Sequence, residues 1–211
     1  PRYAEEQETR ANIRLTINRP LLAIIQKAAL VPEIVKKIGR DPAVNVAEMF
    51  VRNADKGGQP FFHVAPFFDD VGREYGEGLL TYTSNQMIRN LIEFHDSVAY
   101  NPIFVKEFIE PLVYESSGVN FANFKEVLDR WEDILLDKWK FKNPWHTLRM
   151  AIFYHEVVTQ GYSGAHLEYD FRTSGPLILG LLARDRNMMA DTNMFGVDNR
   201  DCRNTVASLV V

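Results

Sequence analysis

Glu168-Tyr169-Asp170-Phe171-Arg172-Thr173-Ser174-Gly175-Pro176-Leu177-Ile178-Leu179-Gly180 decides how the rest of the chain is organised. Tyr169 and Phe171 favour a strand, and Thr173 or Ser174 can cap the apolar helix that Pro176 to Gly180 begins. The stretch therefore predicts a short strand that delivers a carboxylate at its end and turns at once into a helix. A metal ligand set against a phosphate needs a rigid backbone and open space in front of it. Asp170 fits that description, and it fits equally the simpler role of a helix cap.

Bulk properties narrow the choice of function. The 211 residues suffice for a sizeable core in one or two domains. With 46% hydrophobic and 25% charged residues, the chain has the balance of an ordinary globular protein. A net charge of −4 supplies no overall basic footprint for nucleic acid, so any such binding needs a local basic cleft. Cys202 is the only cysteine, which excludes an intrachain disulfide and a cysteine-rich metal site and points to a reducing compartment. No apolar run has membrane-spanning length and no signal-peptide pattern is present. Pro1 stands first where a Met would be expected, so a trimmed chain is expected.

Taken in order, residues 2–18 carry mixed charges on a helix-friendly background. Pro20 to Leu30 has apolar residues at helical spacing, and Pro32 and Gly39 punctuate two further helical pieces. Val44 to Asp55 is an amphipathic helix closed by Lys56-Gly57-Gly58. Pro60 to Phe68 is aromatic and Pro-bounded, predicting an extended buried segment. It leads into Asp69-Asp70-Val71-Gly72-Arg73-Glu74-Tyr75-Gly76-Glu77-Gly78, where Gly72, Gly76 and Gly78 permit close backbone approach and Arg73 can meet a phosphate bidentately. A Gly-rich turn with a surface arginine explains the same residues. Helices are predicted over Ser84 to Asp96, Pro102 to Tyr114 and Asn120 to Lys138. The last has Phe121, Phe124, Val127, Leu128, Trp131, Ile134 and Leu135 on one face. Lys138 to Lys142 is a short link, and Asn143-Pro144 starts a largely buried helix over Trp145 to Gln160 that Gly161 ends. Residues 165–169 are expected to form the strand to Asp170, followed by a helix to about Asp191, a polar loop and a last helix over Asn204 to Val211.

One constellation points to metal chemistry of another kind. His166, Glu168 and Asp170 alternate along the expected strand and share a face, with His155-Glu156 on the preceding helix. A half-exposed strand with a polar face accounts for that pattern as well. His63, His95 and His146 fit structural roles, and Trp131, Trp139 and Trp145 fit packing roles. No nucleophile elbow and no phosphate-binding loop of the G-x-x-x-x-G-K type is present.

Two stretches taken together are more specific than either alone. Asp69-x-x-Gly72-Arg73-x-Tyr75 and Asp170-x-x-x-Ser174-Gly175 resemble the D-x-x-G-R element and the first catalytic-carboxylate motif of the phage-type single-subunit RNA polymerases. The aromatic segment before Asp69, Leu182-Ala183-Arg184-Asp185 and Thr192-Asn193-Met194 continue the likeness in the family's order. So do the Val44–Asp55 and Pro144–Gly161 helices. The likeness covers roughly residues 42–211. Family A DNA polymerases keep a similar Arg element at a much shorter distance from the carboxylate, which favours RNA synthesis.

The resemblance implies a mostly helical α+β fold: a thumb-like helical segment over 1–41 and a partial right-hand palm over 42–211. It implies that Asp170 is one of two essential carboxylates, that Asp170 and the Phe171 carbonyl hold Mg²⁺, and that Asp69, Gly72, Arg73 and Tyr75 form a nucleic-acid-binding loop. Such backbone contacts fix register and carry no sequence information. For Arg184 and Asp185 a structural ion pair and a direct substrate role stay open. The family also needs a nucleotide-binding helix bearing Lys and Tyr, and a second Asp on a later hairpin. Neither is recognisable between Asp170 and Val211. The chain is thus similar to the N-terminal half of a split bacteriophage polymerase, in an infected bacterial cytoplasm. Its implied partners are a second subunit carrying those residues, DNA template, RNA product and nucleoside triphosphates. No promoter-reading domain is evident in residues 1–41, so a further factor for promoter opening is expected. A stand-alone metalloenzyme built on His166, Glu168 and Asp170, or a non-catalytic interaction subunit, is the alternative.

Overall fold

Asn143-Pro144 does what its chemistry requires. The Asn143 side chain accepts the His146 N–H, Pro144 occupies the first turn, and the helix runs Pro144–Gln160 before Gly161 closes it in the left-handed conformation, φ +77°. This longest described helix is the centre of the fold, with ten buried residues that include Leu148, Ile152, Phe153 and Val157. The computed structural model describes residues 12–68, 70, 74–101, 103, 105–111, 114, 124–139 and 141–165. All belong to the first of two compact units, Pro1–His166.

In chain order the described elements are β1 (Leu15–Ile17), α1 (Arg19–Ala28), α2 (Pro32–Ile38), α3 (Pro42–Asp55), β2 (Pro66–Phe68) and β3 (Glu74–Gly76). They continue with α4 (Gln86–Leu91), β4 (Ile92–Phe94), β5 (Val98–Ala99), a π-helical turn at Val105–Ile109, α5 (Phe124–Asp129), α6 (Trp131–Leu135), α7 (Pro144–Gln160) and β6 (Tyr162–Ser163). The architecture is mostly helical α+β, with three two-stranded antiparallel sheets pairing β1 with β4, β2 with β3, and β5 with β6.

Each N-terminal helix begins with Pro in its first turn, Pro20 and Pro32 as expected and Pro42 two residues ahead of the expected start at Val44. Leu21, Leu22, Ile24, Ile25 and Ala28 form the buried stripe of α1, which packs on α3 and α7. Small Ala43 and Ala47 give α3 a close-packing face. Around α7 gather α1, α4, α5, α6 and β6. Among the described residues no helix is long and apolar enough to cross a membrane.

Four expectations need correction. Residues 15–17 are a strand, because Leu15, Thr16 and Ile17 pair with Phe94, Glu93 and Ile92. The same pairing ends the helix expected over Ser84 to Asp96: α4 passes straight into β4 at Ile92, which is 1% exposed and packs opposite Ile17. Long-range pairing overrides local helix preference there. The helix expected over Asn120 to Lys138 breaks at Arg130 into α5 and α6. The Arg130 guanidinium binds Asp133 and lies over the Trp139 ring, 4.8 Å from its centroid. The segment Pro60 to Phe68 is extended but not buried as a whole: Val64 is buried, while Phe67 stands 48% exposed.

Candidate functional site

The Arg element lies on the connection of a hairpin. β2 and β3 pair with Pro66 opposite Gly76, Phe67 opposite Tyr75 and Phe68 opposite Glu74, so residues 69–73 join the two strands. Phe67 and Tyr75 stack across the pair at 5.5 Å with 25° between planes, the contact that aromatic cross-strand neighbours favour. Gly76 forms the root. A Cβ there would come 2.6 Å from Val64 Cγ1 and 2.8 Å from Thr81 Cβ, so only glycine allows this approach. The Gly76 N–H donates to Thr83 Oγ1 at 2.9 Å, and the Glu77 N–H donates to the Ala65 carbonyl at 2.8 Å. Of the expected nucleic-acid-binding residues, Tyr75 is thus at the braced root beside Phe67. Asp69, Gly72 and Arg73 lie outside the described residues.

A second polar assembly was not singled out in the sequence. Arg149 sits in the most apolar part of α7, its side chain 3% exposed, and its Nη2 donates to Glu93 Oε2 at 2.9 Å. Its Nη1 has no hydrogen-bond acceptor among the described residues and faces Glu156 Oε2 at 3.8 Å. Asn18, fully enclosed, caps α1 by accepting the Leu21 N–H at Oδ1, which turns its Nδ2 toward both carboxylates. Nδ2 lies 2.7 Å from Glu93 Oε2 and 3.4 Å from Glu156 Oε1. Ser163 Oγ donates to Glu156 Oε2 at 2.5 Å and accepts the Ala165 N–H at 3.1 Å. Burial holds the Tyr100 hydroxyl above its usual range, with Arg149 pulling it back down and Glu156 pushing it further up. Two carboxylates and one guanidinium thus join α1, β4, α7 and β6 at one place. The visible signal was Arg149 within the run Leu148-Arg149-Met150-Ala151: a cation on a buried face needs an anion from elsewhere in the chain.

That assembly separates two residues grouped in the sequence. Glu156 points into the cluster, whereas His155 is exposed against the Phe124 ring at 5.6 Å. Neighbours on a helix are about 100° apart, so an inward Glu156 turns His155 away. His166, Glu168, Asp170 and Phe171 lie outside the described residues. Among the described residues no three His, Cys, Asp or Glu side chains come together as a group that could hold a metal. His63 Nδ1 is 3.1 Å from the Ile13 carbonyl, and His95 packs on Phe61. Trp145 is buried in the first turn of α7, in keeping with a packing role.

No protein-family model matches the chain, and no curated protein does.

Proposed function

We propose that this chain is one subunit of a heterodimeric DNA-directed RNA polymerase, supplying one of two catalytic carboxylates for nucleotidyl transfer. The observation that carries it is the pairing, in order and at family-like spacing, of Asp69-x-x-Gly72-Arg73-x-Tyr75 with Asp170-x-x-x-Ser174-Gly175. Two features of the fold support it. The Arg element joins the strands of a hairpin with a braced root. A long buried helix, Pro144–Gln160, precedes the carboxylate stretch.

The reaction forms a bond from a ribose 3′-oxygen to the α-phosphorus of a nucleoside triphosphate as the 3′-hydroxyl gives up its proton and the bond to the leaving pyrophosphate breaks, so negative charge on the phosphates must be stabilised. The Asp170 carboxylate and the Phe171 carbonyl are hard oxygen donors that suit Mg²⁺, which when bound neutralises charge on the phosphates. Arg73 holds a backbone phosphate beside them, with Asp69, Gly72 and Tyr75 shaping its loop. The nucleotide-binding Lys and Tyr and the second Asp come from a partner polypeptide, and a further factor opens the promoter.

Co-purification from the native source followed by template-dependent nucleotide incorporation tests this, with wild type and Asp170→Asn side by side. A second polypeptide and a loss of synthesis by orders of magnitude in the variant are expected. A chain that purifies alone, or full synthesis by Asp170→Asn, overturns the proposal.

A further inference from the structure

The N-terminal helices leave an apolar cleft open between their ends. Its volume is about 510 Å³, and it is lined by Ile25 and Leu30 from α1 and the turn after it, Val35 and Ile38 from α2, Val44 from α3 and Met87 from α4. A second cleft of about 570 Å³ shares Ile38, Arg40 and Met87 with the first and continues to Trp145 at the start of α7. The shortness of α2 accounts for the opening. It has seven residues, and Gly39, at a φ of +74°, turns the chain away at its end. Ile34 is fully buried on one side of α2, while Ile38, one turn on, is exposed. Leu30 is 82% exposed, more than any other large apolar side chain among the described residues.

The free charge around the cleft is positive. Residues 26–40 carry Lys27, Lys36, Lys37 and Arg40 against the single acid Glu33, in a chain whose net charge is −4. Lys37 is committed to Asp137 and to the Leu135 carbonyl. Lys27, Lys36 and Arg40 are exposed, and their side chains have no ion-pair partner among the described residues. The two acids that line the cleft are already occupied. Asp41 caps α3 through the Ala43 N–H and accepts Asn85 Nδ2, and Glu48 pairs with Arg52. The surface thus combines an aliphatic floor with uncompensated cations, Arg40 standing in the wall that both clefts share.

That combination selects among occupants. A second copy docked symmetrically brings the same free cations face to face. Single-stranded nucleic acid stacks its bases on aromatic rings, and the first cleft is lined by aliphatic side chains. A helix with an apolar stripe and acidic flanks satisfies both the floor and the charge. We infer that this cleft docks an acidic amphipathic helix of a partner polypeptide. Its stripe lies on Leu30, Ile38 and Met87, and its carboxylates are drawn to Arg40, with Lys27 on α1 and Lys36 on α2 adding to the attraction. The inference goes beyond the proposed nucleotidyl transfer and does not rest on it.

The test uses the full chain and two labelled synthetic helical peptides. Both carry Leu at i, i+3, i+4 and i+7, and they differ only in having Glu or Lys on the remaining faces. By fluorescence anisotropy the Glu peptide should bind at least about tenfold more tightly than the Lys peptide. Arg40→Glu should weaken the Glu peptide about 5–50-fold and Leu30→Ala about tenfold. Both side chains are exposed, so the melting temperature of each variant should match wild type. Equal binding of the two peptides, binding of neither, or indifference to Arg40→Glu overturns the inference. The second measurement places a photo-cross-linking side chain at Leu30 of the tagged full chain in its native source. Mass spectrometry should identify an acidic segment of another polypeptide with apolar residues at helical spacing, and Arg40→Glu should abolish that cross-link. Cross-links confined to this chain or a second copy of it, to nucleic acid or to a segment without those features, or none at all, overturn the inference.

Discussion

Replacing Asn18 separates the two jobs that its side chain performs. Its Oδ1 caps α1 through the Leu21 N–H at 2.8 Å, and its Nδ2 donates to Glu93 at 2.7 Å, with Glu156 at 3.4 Å. Asn18→Ala removes both. Loss of the cap costs about 1 kcal/mol. Loss of a donor to an ionised, part-buried carboxylate costs roughly a further 2 kcal/mol. The sum, about 3 kcal/mol, corresponds to a melting-temperature drop of roughly 6–12 °C for a chain of this size. Asn18→Asp keeps the cap, because aspartate is as good an N-cap as asparagine. It also sets a third carboxylate against Glu93 and Glu156, which Arg149 faces from α7. At pH 7 it should therefore be at least as destabilising as Asn18→Ala, despite being nearly isosteric. The sign with pH is fixed by linkage. Crowded carboxylates make the folded variant bind a proton more tightly than the unfolded chain does, so the variant's deficit against wild type shrinks as pH falls from 7 to 5. Thermal and urea unfolding followed by circular dichroism at both pH values measures this. The reasoning is refuted if Asn18→Asp matches wild type at pH 7, or if its deficit grows on acidification.

Two further outcomes follow from the geometry. Gly76→Ala should cost about 1–3 kcal/mol by urea unfolding, because its Cβ meets Val64 Cγ1 and Thr81 Cβ, neither the free end of a flexible chain; a midpoint equal to wild type would show that the hairpin root is not tightly packed. The Tyr154 hydroxyl, held by burial and by its 2.8 Å hydrogen bond to Glu110, is pushed up to about 12 from 10.0. The folded state thus holds that proton more tightly than the unfolded one, so stability is intact below pH 10 and declines between pH 10 and about 12. Ultraviolet absorbance titration should show a late tyrosinate step that shrinks in Tyr154→Phe, leaving the contribution of the likewise raised Tyr100, and an unchanged late step in that variant would refute the assignment.

Much of the helical framework was legible from local chemistry. Asn143-Pro144 with Gly161 and Pro32 with Gly39 each pair a start signal with a stop signal, and Lys56-Gly57 marks the stop of α3, which begins at Pro42 rather than at Val44. These act within one turn of chain, so they need no knowledge of distant residues. A Gly-rich turn after Asp70 was legible for the same reason, since Gly72 follows a short polar stretch, whereas its place between two paired strands was not. The catalytic and metal-binding expectations at Asp170 and Phe171, and those at Asp69, Gly72 and Arg73, are carried by sequence resemblance, because those residues lie outside the described ones.

Two things were decided only by tertiary structure. Ile92 to Phe94 would continue α4 on local grounds, yet become a strand because β1 arrives from seventy-odd positions upstream to pair with them. The polar cluster draws Asn18, Glu93, Arg149, Glu156 and Ser163 from four elements, each an ordinary residue in its own stretch. Capping and turn chemistry are short-ranged and can be read one residue after another. Strand pairing and the compensation of a buried charge depend on which distant groups arrive at the same point, and that is settled only when the chain has folded.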